Sequence, residues 1–144
     1  MQEQARPLGL AGLINRVHRV LQGVSAEVAG RNDLYVGEME ALAALGHGGS
    51  AMRMGDMARA MLVSAPNATR IVKQLEDRGF AQRGPSAKSD REVIVRLTAR
   101  GEDAFRACLP QLETDLQGVL DSALLDAEQD QLYQLLRKLG GPIP

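Results

Sequence analysis

The sequence is poor in the residues that disulfides, metal sites and redox centres need. Among 144 residues there is one cysteine, Cys108, and there are two histidines, His18 and His47. A single cysteine excludes an internal disulfide, which is typical of proteins from reducing compartments. No Cys/His/Asp/Glu group has metal-ligand spacing, so we expect neither a metal nor another cofactor.

Long apolar runs are also missing. No stretch approaches the roughly 18 residues that a membrane span needs, and the first residues lack the basic-then-apolar pattern of a signal peptide. The sequence therefore predicts a cytoplasmic protein without a membrane partner. Since it also lacks a nucleophile–base pair, a phosphate-binding loop and paired carboxylates, we expect no enzyme.

Charge is divided unevenly along the chain, although the net charge is only −1. Residues 53–100 hold ten Lys/Arg and five Asp/Glu, a net charge of +5, whereas the remainder holds seven basic and thirteen acidic residues, a net −6. Such segregation favours a local surface that faces phosphate. An ordinary solvated helix face is the alternative, and charge alone does not decide between the two.

Hydrophobic periodicity predicts one mainly α-helical domain over residues 1–144. Apolar residues recur with helical spacing from about Leu8 to Ala29. Further helices are predicted at about 37–45, 55–61, 64–78, 98–122 and 126–139. The helices at the two ends, about 8–30 and 100–144, carry more apolar residues than so small a core can bury. We therefore expect them to form an intertwined dimerisation region in a homodimer.

The middle of the chain has the pattern of a DNA-binding unit. Two short alternating segments, 80–83 and 92–97, flank the basic loop 84–91 and predict an antiparallel hairpin. A helix that fits the major groove beside such a hairpin is typical of a winged helix-turn-helix. The sequence predicts this unit at about residues 36–98.

Local signals predict where the helices begin and end. Ser64 is the expected N-cap of the second helix of the unit, and Gly79 its left-handed C′ residue. Thr98 is expected to cap the long helix that follows, and Asp126 with Gln129 to form a capping box. The predicted helix–helix contact sets Ile71, Val72 and Leu75 against Met57, Ala58 and Leu62.

Two strings carry a family resemblance: MARAMLVSAPNATRIVKQLEDRGFAQR, from Met57, and DREVIVRLTARG, from Asp90. The landmarks are Ser64, Thr69–Arg70, Leu75–Glu76, Gly79, Arg83, Arg91, Leu97–Thr98 and Gly101. In these positions the chain resembles the MarR family of bacterial transcription regulators. The resemblance implies a homodimeric, sequence-specific regulator of transcription, most often a repressor. Its expected partners are a pseudo-palindromic double-stranded operator and a small aromatic or phenolic effector.

The residues expected to contact DNA lie on the second helix and on the loop of the hairpin, the wing. They are Ser64, Ala65, Pro66, Asn67, Thr69, Arg70, Lys73, Ser86, Lys88 and Arg91. Asn67 is expected to pair with adenine, and Arg70 with guanine or with phosphate. If Arg70 holds phosphate alone, it contributes affinity without sequence preference. Arg91, at the tip of the wing, is expected to enter the minor groove.

The wing departs from the family pattern, which places an acid two positions before the arginine of the tip. That position is Ser89 here, and acids stand at Asp90 and Glu92 on either side of Arg91. The ion pair that holds the family's wing is therefore either re-formed through Asp90 or absent. This departure is what favours the alternative function, a winged-helix protein-interaction module without specific DNA binding.

Three residues of the first helix, Arg16, His18 and Arg19, are expected to meet an anionic effector in a cleft beside the DNA-binding unit. Salt bridging on a helix face is the alternative role for them. His47 is expected to be exposed in a glycine-rich loop. Cys108 is expected to be buried and inert. Relatives that sense peroxides use a cysteine in the first helix, and this chain has none there.

Overall fold

The computed structural model describes residues 2–140, which form six helices and three strands. In chain order they are α1 (Gln2–Arg31), α2 (Val36–His47), β1 (Ala51–Arg53), α3 (Met54–Met61), α4 (Ala65–Asp77), β2 (Ala81–Pro85), β3 (Val93–Leu97), α5 (Ala99–Asp121) and α6 (Asp126–Gly140). The predicted class, a mainly helical winged helix-turn-helix, is confirmed. The last four residues of the predicted dimerisation range 100–144 lie outside the described residues.

The sheet has the strand order β1-β3-β2, and both pairings are antiparallel. The predicted hairpin is the β2–β3 pair, whose register runs from Ala81 opposite Leu97 to Pro85 opposite Val93. The third strand, β1, was not predicted. It has three residues, too few for an alternating pattern, and only its pairing with β3 defines it, with Met52 opposite Val95.

The core lies around α2, whose side chains Met39, Leu42 and Leu45 are almost fully buried. The predicted stripe of α4 is buried as well and packs in the same cluster as Met57. Leu62 is a correction, because its side chain is 92% exposed. It ends α3 in the left-handed conformation, with φ 55°, and so turns its side chain away from the core.

The predicted caps are confirmed at α4 and α5. The Ser64 hydroxyl accepts a hydrogen bond from the Asn67 N–H at 3.3 Å, and Gly79 has the expected positive φ, +76°. The capping box predicted for Asp126 and Gln129 is wrong by one residue. Helix α6 begins at Asp126, so Leu125 holds the capping position, and its N–H donates to the Glu128 carboxylate at 2.8 Å.

The two end helices leave many apolar side chains uncovered. Among residues 6–31 of α1 only Val28 and Ala29 join the core, and α6 contributes no buried residue. Exposed apolar side chains of these helices include Leu8, Leu10, Leu13, Ile14, Val17, Val20, Leu132, Tyr133, Leu135, Leu136 and Leu139. Across residues 2–140, none of the helices combines the length and the apolar character needed to cross a membrane.

A close junction joins the end of α4 to the start of α5. The Thr98 hydroxyl accepts from the Gly101 N–H at 3.1 Å and donates to the Gly79 carbonyl at 2.6 Å. The Thr98 N–H donates to the Phe80 carbonyl at 3.1 Å. A Cβ atom on Gly101 would lie 2.0 Å from that same carbonyl oxygen. Only glycine fits at this position without moving the backbone.

We predict that Gly101→Ala destabilises the protein by about 3 kcal/mol, because the new methyl group would overlap a backbone carbonyl that cannot rotate away. The matched control is Gly55→Ala in α3, where a Cβ meets nothing within 4 Å. Alanine is the better helix former there, so this variant should gain about 0.5 kcal/mol. Urea denaturation at one fixed protein concentration measures both changes. Equal stability of the two variants would contradict the prediction.

Candidate nucleic-acid interface

Packing fixes which face of α4 points outward. Ala68, Ile71, Val72 and Leu75 are at most 3% exposed and hold one side of the helix against the core. The opposite side carries the residues predicted to contact DNA. Of these, Ser64, Ala65, Pro66, Thr69, Arg70 and Lys73 are exposed and Asn67 is half-buried. The sequence-predicted set on this helix therefore forms one continuous outward surface, which we call the α4 face.

A buried ion pair holds the end of α4 against the start of α2. Arg78 Nη1 lies 2.8 and 3.0 Å from the two carboxylate oxygens of Glu38, whose side chain is fully buried. The same carboxylate accepts the Tyr35 N–H at 3.0 Å, and Arg78 Nη2 donates to the Asp33 carbonyl at 2.6 Å. Sequence reasoning missed this pair. The available signal was an acid, Glu38, placed among the apolar residues of a predicted helix.

The side chains of the α4 face contact one another. Arg70 Nη2 donates to Asn67 Oδ1 at 2.7 Å. The Thr69 hydroxyl donates to the Ala65 carbonyl at 3.0 Å, and Lys73 Nζ lies 3.1 Å from an oxygen of Asp77. The two residues predicted to recognise bases are thus joined to each other, whereas Lys73 is joined to a carboxylate.

The wing is a tight loop closed by its own backbone and serine hydroxyls. The Ser86 N–H donates to the Glu92 carbonyl at 3.0 Å. The hydroxyls of Ser86 and Ser89 accept from the N–H groups of Lys88 and Arg91 at 3.1 and 3.2 Å, respectively. This geometry leaves the side chains of Lys88 and Arg91 exposed. Both were predicted to contact DNA, and the fold brings them to one loop.

An ion-pair chain connects the base of the wing to α3. Arg53 lies 3.5 Å from Glu92 and 2.7 Å from Asp56, and Asp56 also pairs with Arg59. Hydrogen bonds from Arg53 and then from Arg59 hold the pKa of Asp56 below its usual range. Among the side chains of residues 6–140, none forms an ion pair with Asp90. The acid that the wing uses is therefore Glu92, and its partner, Arg53, is a residue that sequence reasoning missed.

Several cations of this surface keep their charge unpaired. Within the described part of the chain, Arg70, Lys88 and Arg91 have no carboxylate within ion-pair distance, whereas Arg53, Arg59, Lys73 and Arg83 do. Two clefts border the wing, with volumes of about 500 and 360 Å³. The larger is lined by Lys88 and Arg96 and the smaller by Arg91. The surface presents positive charge on the helix and on the wing beside it.

This arrangement of helices and wing matches a known family. A sequence model of the MarR family covers residues 33–92, which hold α2 to α4 and most of the wing. The chain is also 42% identical over 76 residues to the transcriptional repressor MprA of Escherichia coli strain K12. In these residues the chain is similar to the MarR family. That match covers 53% of this chain and 43% of MprA, so the chain spans less than half the length of this relative.

Solved structures of MarR-family proteins are similar to this chain in fold beyond the DNA-binding unit. A mutant of MarR from E. coli, complexed with operator DNA, has a TM-score of 0.84 at 22% identity and covers 94% of this chain and 96% of that one. CouR from Rhodococcus jostii RHA1, bound to p-coumaroyl-CoA, has a TM-score of 0.80 at 16% identity, with 92% of each chain covered. Both comparisons include α1 and α5.

The three residues expected to meet an effector lie within one turn of α1. Arg16, His18 and Arg19 are all exposed there, and their role stays a prediction. His47 is exposed as predicted, but it is the last residue of α2 and not part of the glycine-rich loop. Its ring meets Phe105 edge-on at a centroid distance of 5.6 Å, which places it beside α5.

Cys108 is buried as predicted, with 1% of its surface exposed. Its thiol donates to the Phe105 carbonyl at 3.6 Å, and burial raises the pKa of the thiol. Since the thiolate is the reactive form, a raised pKa lowers the reactive fraction at neutral pH.

We predict that the native thiol reacts with a disulfide reagent such as DTNB at least about a hundredfold more slowly than the same protein in denaturant, because reaction needs both access and ionisation. The rate should rise with pH up to and beyond the ordinary range for cysteine. Stopped-flow absorbance measures the rate under both conditions. A native rate equal to the denatured one at pH 7 would show that Cys108 is accessible and ionised.

Proposed function

We propose that the chain is a cytoplasmic, homodimeric transcription regulator that binds a specific DNA sequence and represses transcription. The observation that carries this proposal is the surface formed by the α4 face and the wing. On it Arg70, Lys88 and Arg91 carry charge that no carboxylate of residues 6–140 pairs. The relatives support it, since MprA is named a transcriptional repressor and MarR was solved with operator DNA.

In the proposed complex α4 enters the major groove with its N-terminal turns first. The residues there are small or polar, and no acidic residue stands in the first turn, so the positive end of the helix faces phosphate. Arg91 would then enter the adjacent minor groove from the wing. The Arg53–Glu92 pair would hold the wing in position for this contact.

The dimer is proposed from the uncovered apolar side chains of α1 and α6. Leu13 and Val17 on α1 and Leu135 and Leu139 on α6 are each more than half exposed. Apolar side chains exposed in this number along two helices need a cover in water, and a second copy supplies one of matching chemistry. Two-fold symmetry would place two α4 helices about 34 Å apart, which is one turn of B-form DNA.

We also propose a small aromatic or phenolic acid as the effector, with no other cofactor. The support is that CouR, a structural neighbour, was solved with p-coumaroyl-CoA. Arg16, His18 and Arg19 supply cationic and hydrogen-bonding groups on the exposed surface of α1. An effector bound beside α1 would release DNA if it bound only one form of the dimer. In that form the spacing of the two α4 helices would no longer match the spacing of successive major grooves.

The alternative function, a protein-interaction module, rests on Ser89 standing where the family has an acid. The Arg53–Glu92 pair weakens that argument, because it gives the wing another ionic attachment, 3.5 Å long. DNA binding is therefore the function that the surface supports best.

We expect the protein to bind duplex from its own upstream region more tightly than a scrambled duplex, with affinity falling steeply as salt rises because counterions are released. Arg91→Ala should weaken binding about tenfold. It should also reduce the slope of log affinity against log salt concentration by about one. The control is Arg106→Ala, which removes an equal charge from α5, where Arg106 pairs with Glu102 at 3.2 Å. Fluorescence anisotropy from low to physiological salt measures all three proteins. No salt-dependent binding to either duplex would favour the interaction module.

We expect a solution mass of twice the chain mass of 15.5 kDa, and we expect Leu136→Glu to weaken the dimer by at least about tenfold. A carboxylate at that position would lie in the apolar surface that the partner covers. Gln134→Glu, two residues away on α6 and off the apolar stripe, is the control with the same added charge. Sedimentation equilibrium gives the dimer dissociation constant of each variant. A monomeric wild-type protein at micromolar concentration would refute the dimer.

A further inference from the structure

We propose that Asn67 and Arg70 act as one unit that recognises guanine, with Asn67 positioning the Arg70 guanidinium and making no independent contact to adenine. This inference rests on the proposed DNA-binding function and names the residues that set its base preference. It replaces the expectation of two separate base contacts.

The geometry joins the two side chains before any DNA is bound. Arg70 Nη2 donates to Asn67 Oδ1 at 2.7 Å, one helical turn apart. The Ser64 hydroxyl holds the Asn67 N–H at 3.3 Å, so the first turn that carries Asn67 is itself fixed. Ala68 is fully buried and Ile71 nearly so on the other side of the helix. The helix that carries the two side chains is therefore fixed with Asn67 and Arg70 on its outward side.

The hydrogen-bonding chemistry of the joined pair favours guanine. Adenine presents an acceptor and a donor in the major groove, so an asparagine that recognises it needs both its oxygen and its amino group. In this structure the Asn67 oxygen accepts from the guanidinium. The groups that remain for a base are therefore mainly N–H donors, those of the Asn67 amide and the other N–H groups of Arg70. Guanine presents two acceptors, N7 and O6. A surface of donors complements guanine and opposes the donor amino group of adenine.

The electrostatics leave the Arg70 charge available for this contact. Asn67 is neutral, and among residues 6–140 no carboxylate lies within ion-pair distance of Arg70. Lys73 differs, since Asp77 holds it at 3.1 Å. Arg70 is therefore oriented by a partner that leaves its charge intact. Lys73 lacks the planar fork that recognises guanine, and its point charge suits a phosphate contact instead.

The test begins with selection of bound sequences from a randomised duplex by the wild-type protein and four variants: Asn67→Ala, Arg70→Lys, Arg70→Ala and Lys73→Ala. Anisotropy on the selected duplex and its single-base substitutions then measures discrimination. We expect the wild type to enrich guanine at one position in each half-site. Arg70→Lys should keep the salt slope but lose about tenfold or more of the preference for guanine, because lysine lacks the planar fork.

Asn67→Ala should reduce the preference for guanine at that same position and remove no adenine preference elsewhere. The double variant Asn67→Ala/Arg70→Ala should show the same base preferences as Arg70→Ala alone. Asn67 acts only by positioning the Arg70 guanidinium, so its loss has no effect once that group is gone. Lys73→Ala should weaken binding equally for all duplexes. Because these side chains lie on the outer surface, far-UV circular dichroism should show every variant folded.

Two results would overturn the proposal while leaving DNA binding in place. One is loss of an adenine preference at a separate position in Asn67→Ala, with effects that add to those of Arg70→Ala. The other is a wild-type protein that binds DNA with a salt-dependent affinity but enriches no base. Absence of any salt-dependent affinity in the wild type would instead overturn the proposed function itself.

Discussion

The position of the recognition surface depends on one buried ion pair, Glu38–Arg78. Removing Arg78 would leave the fully buried Glu38 carboxylate unpaired, and a loss of that kind typically costs about 3–5 kcal/mol. In this fold the pair joins the first turn of α2 to the residue that ends α4, and α2 lies at the centre of the core. The orientation of α4 is therefore set from its C-terminal end by charge and along its length by apolar packing.

The junction at Thr98 connects that orientation to the rest of the chain. A single hydroxyl caps α5 and binds the carbonyl of Gly79, the residue that stops α4. Because Gly101 allows the two backbones to touch, the DNA-binding unit is joined directly to the helix that leads to the proposed dimer interface. A change in the angle of α5 would be transmitted to α4 through this contact, which gives the proposed effector a rigid route to the DNA-binding surface.

Sequence patterns predicted most elements of the fold, because helical periodicity and capping residues act within a few positions of each other. They predicted Ser64, Gly79 and Thr98 correctly for this reason. They missed β1 and the Arg53–Glu92 pair, since both depend on residues about 40 positions apart in the chain. Leu62 was placed in the core because its type is apolar, whereas its left-handed backbone turns it outward. The α4 face was predicted as a set of residues, but not the bond between Asn67 and Arg70.

The strand that sequence reasoning missed has a consequence for solubility. Strand β3 contains Val93, Ile94 and Val95, the kind of segment that pairs with other chains when its edge is open. Here β1 covers one edge and β2 the other. The outer edge of β1 is only three residues long, and β2 ends at Pro85, which has no N–H to offer. Within residues 2–140 the sheet thus presents no long free edge on which a second molecule could add a strand during folding in a crowded cell.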